Sequence, residues 1–178
     1  MHLVLGALLD VDGAASVTGE IVVVGLGNSY RGDDGVGIVA ATALNDLVLP
    51  GVRVVTGIME PMSLLEAWSG ARLAVVIDAA VGTPPVPGRI RRCALTDVVA
   101  ASNGLSSHSV DIGRTHALGQ ALGRVPNALV VFTIEVADTG HGTGLTPQVE
   151  GAVPDVVGMA VAEINCNCGP ARRLRRLA

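Results

Sequence analysis

Two adjacent acids, Asp33 and Asp34, follow the string Gly25-Leu26-Gly27-Asn28-Ser29-Tyr30-Arg31-Gly32, and a third, Asp78, ends the apolar run Leu73-Ala74-Val75-Val76-Ile77. His108 stands in Ser106-Ser107-His108-Ser109, and Glu135 closes another apolar run. One imidazole nitrogen and two carboxylates are a donor set that a borderline divalent cation accepts with coordination positions left open. Asp34, Asp78 and His108 are therefore the candidate metal ligands. The neighbouring acids have competing uses. An Asp at the start of a helix caps orphan amides and gains from the helix dipole. Two neighbours cannot both cap, so Asp33 is assigned the cap and Asp34 the chemistry. Asp78 reads equally as a site acid or as a hydrogen-bond acceptor for the next loop. Glu135 reads as a third acidic wall or as the partner of an Arg. His116, on a helix, and His141, in a glycine-rich loop, read as structural.

Other chemistries fit less well. Gly25-Leu26-Gly27 after a strand invites a dinucleotide reading, but the third glycine of the fingerprint would fall at Tyr30. Asp33 and Asp34 also put negative charge where a pyrophosphate needs bare amide donors. No Gly-x-Ser-x-Gly elbow surrounds a serine. Cys166-Asn167-Cys168 offers two thiols, short of a four-ligand zinc site, and Cys93 stands alone. Three cysteines make no disulfide framework and fit a reducing compartment.

The elements that must position these residues alternate between strand and helix. Ile21-Val22-Val23-Val24 is a buried strand entering the tight turn Gly25–Asn28. A helix follows from Asp33 to about Leu47, with Val36, Ala40, Ala43, Leu44 and Leu47 as its apolar stripe. Residues 53–57 read as a second strand and 61–68 as a helix opened by Pro61. The run 73–77 is a third strand that stops at Asp78. Residues 89–93 form a shorter strand whose arginines suit a sheet edge. Residues 109–122 read as a helix and 128–134 as a buried strand. A final helix spans 147–164 behind Thr146 as its cap, kinked or split by Pro154. Gly35 and Gly37 weaken the first helix, which implies that another backbone comes close there. The expected fold is α/β, a single domain of three layers, with a twisted, mainly parallel sheet flanked by helices on both faces. In such sheets the site lies beyond the carboxyl ends of the strands, where Asp34 and Asp78 fall.

Composition bounds the rest. The chain has 178 residues, enough for one domain, and is 49% hydrophobic with only 2% aromatic, so its core is Val, Leu, Ile and Ala. It has no Lys; residues 1–170 carry eight of the twelve arginines against all sixteen acids. A body that acidic repels phosphate backbones, which argues against nucleic acid as partner. No apolar stretch reaches membrane-spanning length, and no Arg or Lys precedes the apolar run 3–9, so no secretory leader is read. Residues 1–19 are taken as an N-terminal extension, 20–165 as the domain, and 166–178 as a basic, disordered tail. The expected location is the cytoplasm.

The segment Gly25 to Gly37 resembles the N-terminal signature of hydrogenase maturation proteases. Val75-Val76-Ile77-Asp78-Ala79 is similar to their second acidic motif, Ser107-His108 to their histidine loop, and Ile134-Glu135 with Gly144-Leu145-Thr146-Pro147 to their C-terminal segment. The segments run in order from about residue 20 to 164. The resemblance implies a twisted sheet between helices, with Asp34, Asp78 and His108 contacting a metal and acting catalytically. Asn28, Asp33 and Glu135 then position the substrate. The implied activity is an endopeptidase that removes the C-terminal extension of the large-subunit precursor of a nickel–iron hydrogenase once nickel, carried by the substrate, is in place. Hydrolysis would use water, activated by an aspartate or by the metal. The chain departs from the family at Gly57-Ile58-Met59-Glu60-Pro61-Met62, where a Gly-Thr-x-Gly segment is common. The alternatives are a non-catalytic, metal-sensing chaperone of the same subunit, or an enzyme like peptidyl-tRNA hydrolase. The latter opens with the same Gly-Leu-Gly-Asn string but would continue with Arg-His-Asn and a basic face.

Overall fold

The computed structural model describes residues 19–94, 96–97 and 110–167. Five strands form one sheet: β1 (Ile21–Gly25), β2 (Val52–Val55), β3 (Leu73–Ala80), β4 (Ile90–Cys93) and β5 (Leu129–Glu135). Their spatial order is β2-β1-β3-β5-β4, parallel throughout except that β4 runs antiparallel to β5 at one edge. Among the described residues four helices cover it: α1 (Val36–Asp46), α2 (Pro61–Trp68), α3 (Ile112–Leu122) and α4 (Pro147–Asn167). The expected single-domain, mainly parallel α/β architecture is the one observed.

The apolar strands are buried on both faces because each face has its own helical layer. Ile21, Val23, Val75, Ile77 and Phe132 face α1 and α4, meeting Val36, Ala40, Leu44, Val149, Val156 and Ile164. Val22, Val24, Ala74, Val76 and Val131 point the other way, toward Leu64, Leu65 and Trp68 of α2 and Ile112 of α3. The two-residue period of a strand makes this division. Each large side chain so buried is worth about 1.5–3 kcal/mol relative to exposure. Small residues set the spacing where α1 crosses the sheet. A Cβ on Gly37 would collide with the carbonyl oxygens of Leu26 and Ile77, and one on Gly25 with Gly37 itself. Gly37→Ala should therefore cost about 1–3 kcal/mol by forcing α1 away from the sheet, measurable in a urea melt.

Several boundaries differ from expectation. β3 continues through Asp78 to Ala80, because β5 keeps pairing with it as far as Ala80↔Glu135 after β1 has ended at Gly25↔Ile77. The first helix opens as a single 3-10 turn, Gly32–Gly35, before α1 begins at Val36. α4 is not split at Pro154, which lies inside it, and the helix runs on to Asn167. α3 starts behind Asp111, whose Oδ1 accepts from the Arg114 amide at 2.9 Å, so an unassigned acid is the cap there. Among the described residues no helix is long and apolar enough to cross a membrane. Residues 1–18, His108, Cys168 and the arginine-rich tail lie outside the described residues.

Candidate active site

Strand order creates the site. From β1 the chain moves outward to β2, then returns across β1 to β3, so the connections after β1 and β3 diverge at the carboxyl end of the sheet. A crevice opens where neighbouring strands send their chains in opposite directions. The Leu26 amide still donates to the Ile77 carbonyl at 2.9 Å, so the two chains part immediately beyond. Asp78 is the next residue on β3. Its side chain is 2% exposed, and its Oδ1 accepts from the Ala79 amide at 2.9 Å. The bond runs to the next residue of β3 itself, not to the loop beyond it, and Asp78 stands at the crevice.

Asp34 arrives from the other side. After Gly25 the chain doubles back, and the Asn28 amide donates to the Asp34 carbonyl at 3.3 Å. Gly27 has φ 127°, and any Cβ there would strike that carbonyl oxygen. The turn is therefore glycine-dependent for two independent reasons. The Asn28 side chain accepts from the Tyr30 amide at 2.9 Å, which locks the loop as an Asx turn. The 3-10 turn packs on β3, and Asp34 is fully buried in it. Two buried carboxylates from segments over forty residues apart are thus brought to one end of the sheet. The third expected ligand, His108, lies outside the described residues, and no cluster of three or more metal-ligating side chains is found among those described.

Asp33 is not the helix cap it was assigned to be. Neither the 3-10 turn nor α1 has a side-chain cap. The Asp33 carboxylate accepts instead from the amides of Ala137 at 3.1 Å, Asp138 at 3.0 Å and Thr146 at 2.6 Å, and from the Thr146 hydroxyl at 3.0 Å. The backbone adds Asp33 N to Asp138 O, Gly32 N to Gly142 O, and Gly142 N to Tyr30 O. Asp33 therefore pins the loop after β5 to the turn that carries Asp34. It has no oxygen left over for a substrate-positioning role. The helix-start pattern missed this because the donors lie over a hundred residues away.

Glu135 takes the ion-pair alternative rather than that of an acidic wall. Buried at the end of β5, it accepts from Arg89 Nε at 2.8 Å, Arg91 Nε at 3.2 Å and the Val86 amide at 2.9 Å. It holds the loop leaving β3 by its far end. His116 is buried as expected of a structural residue, edge-on to Trp68 with ring centroids 6.4 Å apart. Cys93 and Cys166 are free thiols.

These environments set a pH dependence. Burial pushes the Asp33 carboxyl upward, but the Thr146, Asp138 and Ala137 donors outweigh it and hold it below its ordinary value. Burial likewise raises Glu135, and the Val86 amide with Arg89 and Arg91 pulls it lower. Burial lowers His116, favouring the neutral ring. For the two acids, the unfolded state takes up protons first as pH falls, so their contribution is complete above about pH 5 and lost below it. For His116 the unfolded chain protonates from about pH 6.5 downward while the fold resists, so stability erodes there too. Thermal melts should be flat above about pH 7 and decline in two stages below. His116→Phe should remove the upper stage only.

With the geometry in hand, the comparisons are consistent. The sequence model of the hydrogenase maturation protease family matches residues 40–163, and the chain belongs to that family. It is 27% identical over 148 residues to the hydrogenase expression/formation protein HupD of Thiocapsa roseopersicina. That match covers 80% of this chain and 66% of HupD, slightly under two thirds of its length. The fold is that of the hydrogenase maturating endopeptidase HybD from E. coli, with a TM-score of 0.74 at 23% identity over 82% of this chain and 91% of that one. HybD from Thermococcus kodakarensis gives 0.67 at 21% identity over 81% and 98%.

Proposed function

We propose that the protein is an endopeptidase that removes the C-terminal extension of a nickel-loaded nickel–iron hydrogenase large-subunit precursor in the cytoplasm. The observation that carries this reading is the burial of Asp34 and Asp78 at one switch point, on a protein of the maturation protease family. Carboxylates are costly to bury, and a cation brought to them offsets that cost. The precursor's nickel is that cation in this reading. Thiolates keep it on the large subunit while Asp34, Asp78 and His108 contact it transiently. Water then attacks the scissile carbonyl, with an aspartate as general base or the substrate's metal polarising the carbonyl. Asn28 and the Asp33 pin support the turn that carries Asp34.

The test uses purified full-length chain with metal-free and nickel-loaded precursor, weighing the products by mass spectrometry. Only loaded precursor should lose its extension. Binding without any mass change would instead favour a non-catalytic chaperone. Efficient cutting of metal-free precursor under a strong chelator would replace metal recognition with a plain two-aspartate protease.

A further inference from the structure

β3 loses one of its two neighbours at Asp78. Up to Ile77 it is paired on both sides, with β1 through Gly25↔Ile77 and with β5. From Asp78 to Ala80 only β5 pairs with it, in the register Asp78↔Thr133, Ala79↔Ile134 and Ala80↔Glu135. A strand end held on one side opens locally at little cost unless its outgoing chain is fastened. Glu135 does the fastening. Its amide donates to the Arg89 carbonyl at 2.9 Å, and its carbonyl accepts from the Gly88 amide at 2.8 Å. Its buried carboxylate divides the work: Oε2 accepts from the Val86 amide, and Oε1 accepts from Arg89 and Arg91. Gly82 lies so close that an added Cβ would collide with Oε2 and Cδ of the same carboxylate. The connection from β3 to β4 is thus folded around one residue at positions 82, 86, 88 and 89.

We infer that Glu135 is a positioning residue for Asp78, holding the half-paired end of β3 so that the Asp78 carboxylate keeps its orientation. This rests on the peptidase reading above and adds a residue to the reaction of that site. The linkage is short. Asp78 Oδ1 accepts from the Ala79 amide at 2.9 Å, so the peptide plane between the two residues sets where the carboxylate points. Ala79 and Ala80 keep that plane through β5, and the Val136 amide holds the Ala80 carbonyl at 3.0 Å. Glu135 stands opposite Ala80 and grips the chain that leaves it. A neutral side chain of the same size cannot replace it. Gln has one acceptor oxygen, so its NH2 group must face either the Val86 amide or the two guanidinium groups. Half of the grip is lost in either case, and the strand end is freed to shift. A displacement of about 1 Å at a reacting group costs on the order of 10²-fold in rate.

Steady-state cleavage of nickel-loaded precursor by the full chain tests the role, together with amide hydrogen exchange, at a temperature where circular dichroism shows each variant folded. Glu135→Gln and Gly82→Ala disturb the grip from opposite sides. Each should lower kcat about ten-fold or more with KM within about two-fold. Amides of residues 79–81 should exchange faster in both variants, while those of β1 and α1 keep wild-type protection. Gly82→Ala keeps every hydrogen-bonding group, so it carries the test if Glu135→Gln does not fold. Glu163→Gln breaks another ion pair to the same edge strand, that of Arg92 with Glu163 of α4 at 2.5 Å. It should change neither kcat nor exchange at residues 79–81, which separates positioning from general stability. Wild-type kcat in the folded variants, or unaltered exchange at residues 79–81, would overturn the positioning role alone. A wild-type protein that never cuts loaded precursor would sink the peptidase reading, and this role with it.

Discussion

Asp78→Asn and Asp34→Asn are each expected to abolish processing of nickel-loaded precursor while leaving the fold intact. The isosteric change keeps an oxygen in place, so the Ala79 amide can still find its acceptor at position 78. At position 34 the hydrogen bonds from Asn28 and to Arg31 use the backbone and are unaffected. What each variant loses is a negative charge and a basic oxygen at the crevice. Removal of a general base alone lowers rates by about 10²–10⁴-fold, and loss of a metal contact adds to that. Melting temperatures should stay within about two degrees of wild type, because the amide has the shape of the carboxylate and keeps one acceptor oxygen at each position. Retained cleavage by either variant would remove that residue from the chemistry. Unfolding of either would show that its charge is structural.

Asp33→Ala is expected to have the largest effect on stability. The change leaves four part-buried donors without their acceptor, three amides and a hydroxyl. Each unsatisfied donor costs about 1–3 kcal/mol, and partial access of water keeps the total near 3–5 kcal/mol. For a chain of this size that is a fall in melting temperature of roughly ten degrees or more. Asp33→Asn should also be damaging, at about 2 kcal/mol, since its amide group must turn toward donors. A helix cap would behave differently, because Asn caps as well as Asp does. The Asp/Asn comparison by calorimetry therefore separates pin from cap. Equal stability of the Asn variant and wild type would restore the capping role.

The alternation of apolar runs with amphipathic segments determined most of this architecture by itself. Strand burial and helix stripes are local patterns, and local patterns survive without knowledge of partners. Pro61 opened α2 as expected, and Asp34 and Asp78 stood out because each comes after an apolar run, although Asp78 lies inside β3 rather than beyond it. The need for a close approach at Gly37 was also legible, although the identity of the approaching carbonyls was not. The fates of Asp33 and Glu135 were decided only by tertiary structure. A buried acid that caps, pins, pairs or catalyses looks the same along the chain, and only its partner separates the cases. For Asp33 those partners are 104 to 113 residues away. For Glu135 the paired arginines are 44 and 46 residues away, Arg91 on the antiparallel edge strand and Arg89 just before it. Strand length was settled in the same way. β3 outran its expected end at Asp78 because a neighbour distant in sequence continued to supply hydrogen bonds. Hydrophobic period determined which segments enter the core; hydrogen-bond partners brought together by the sheet order determined which acids remain for the crevice.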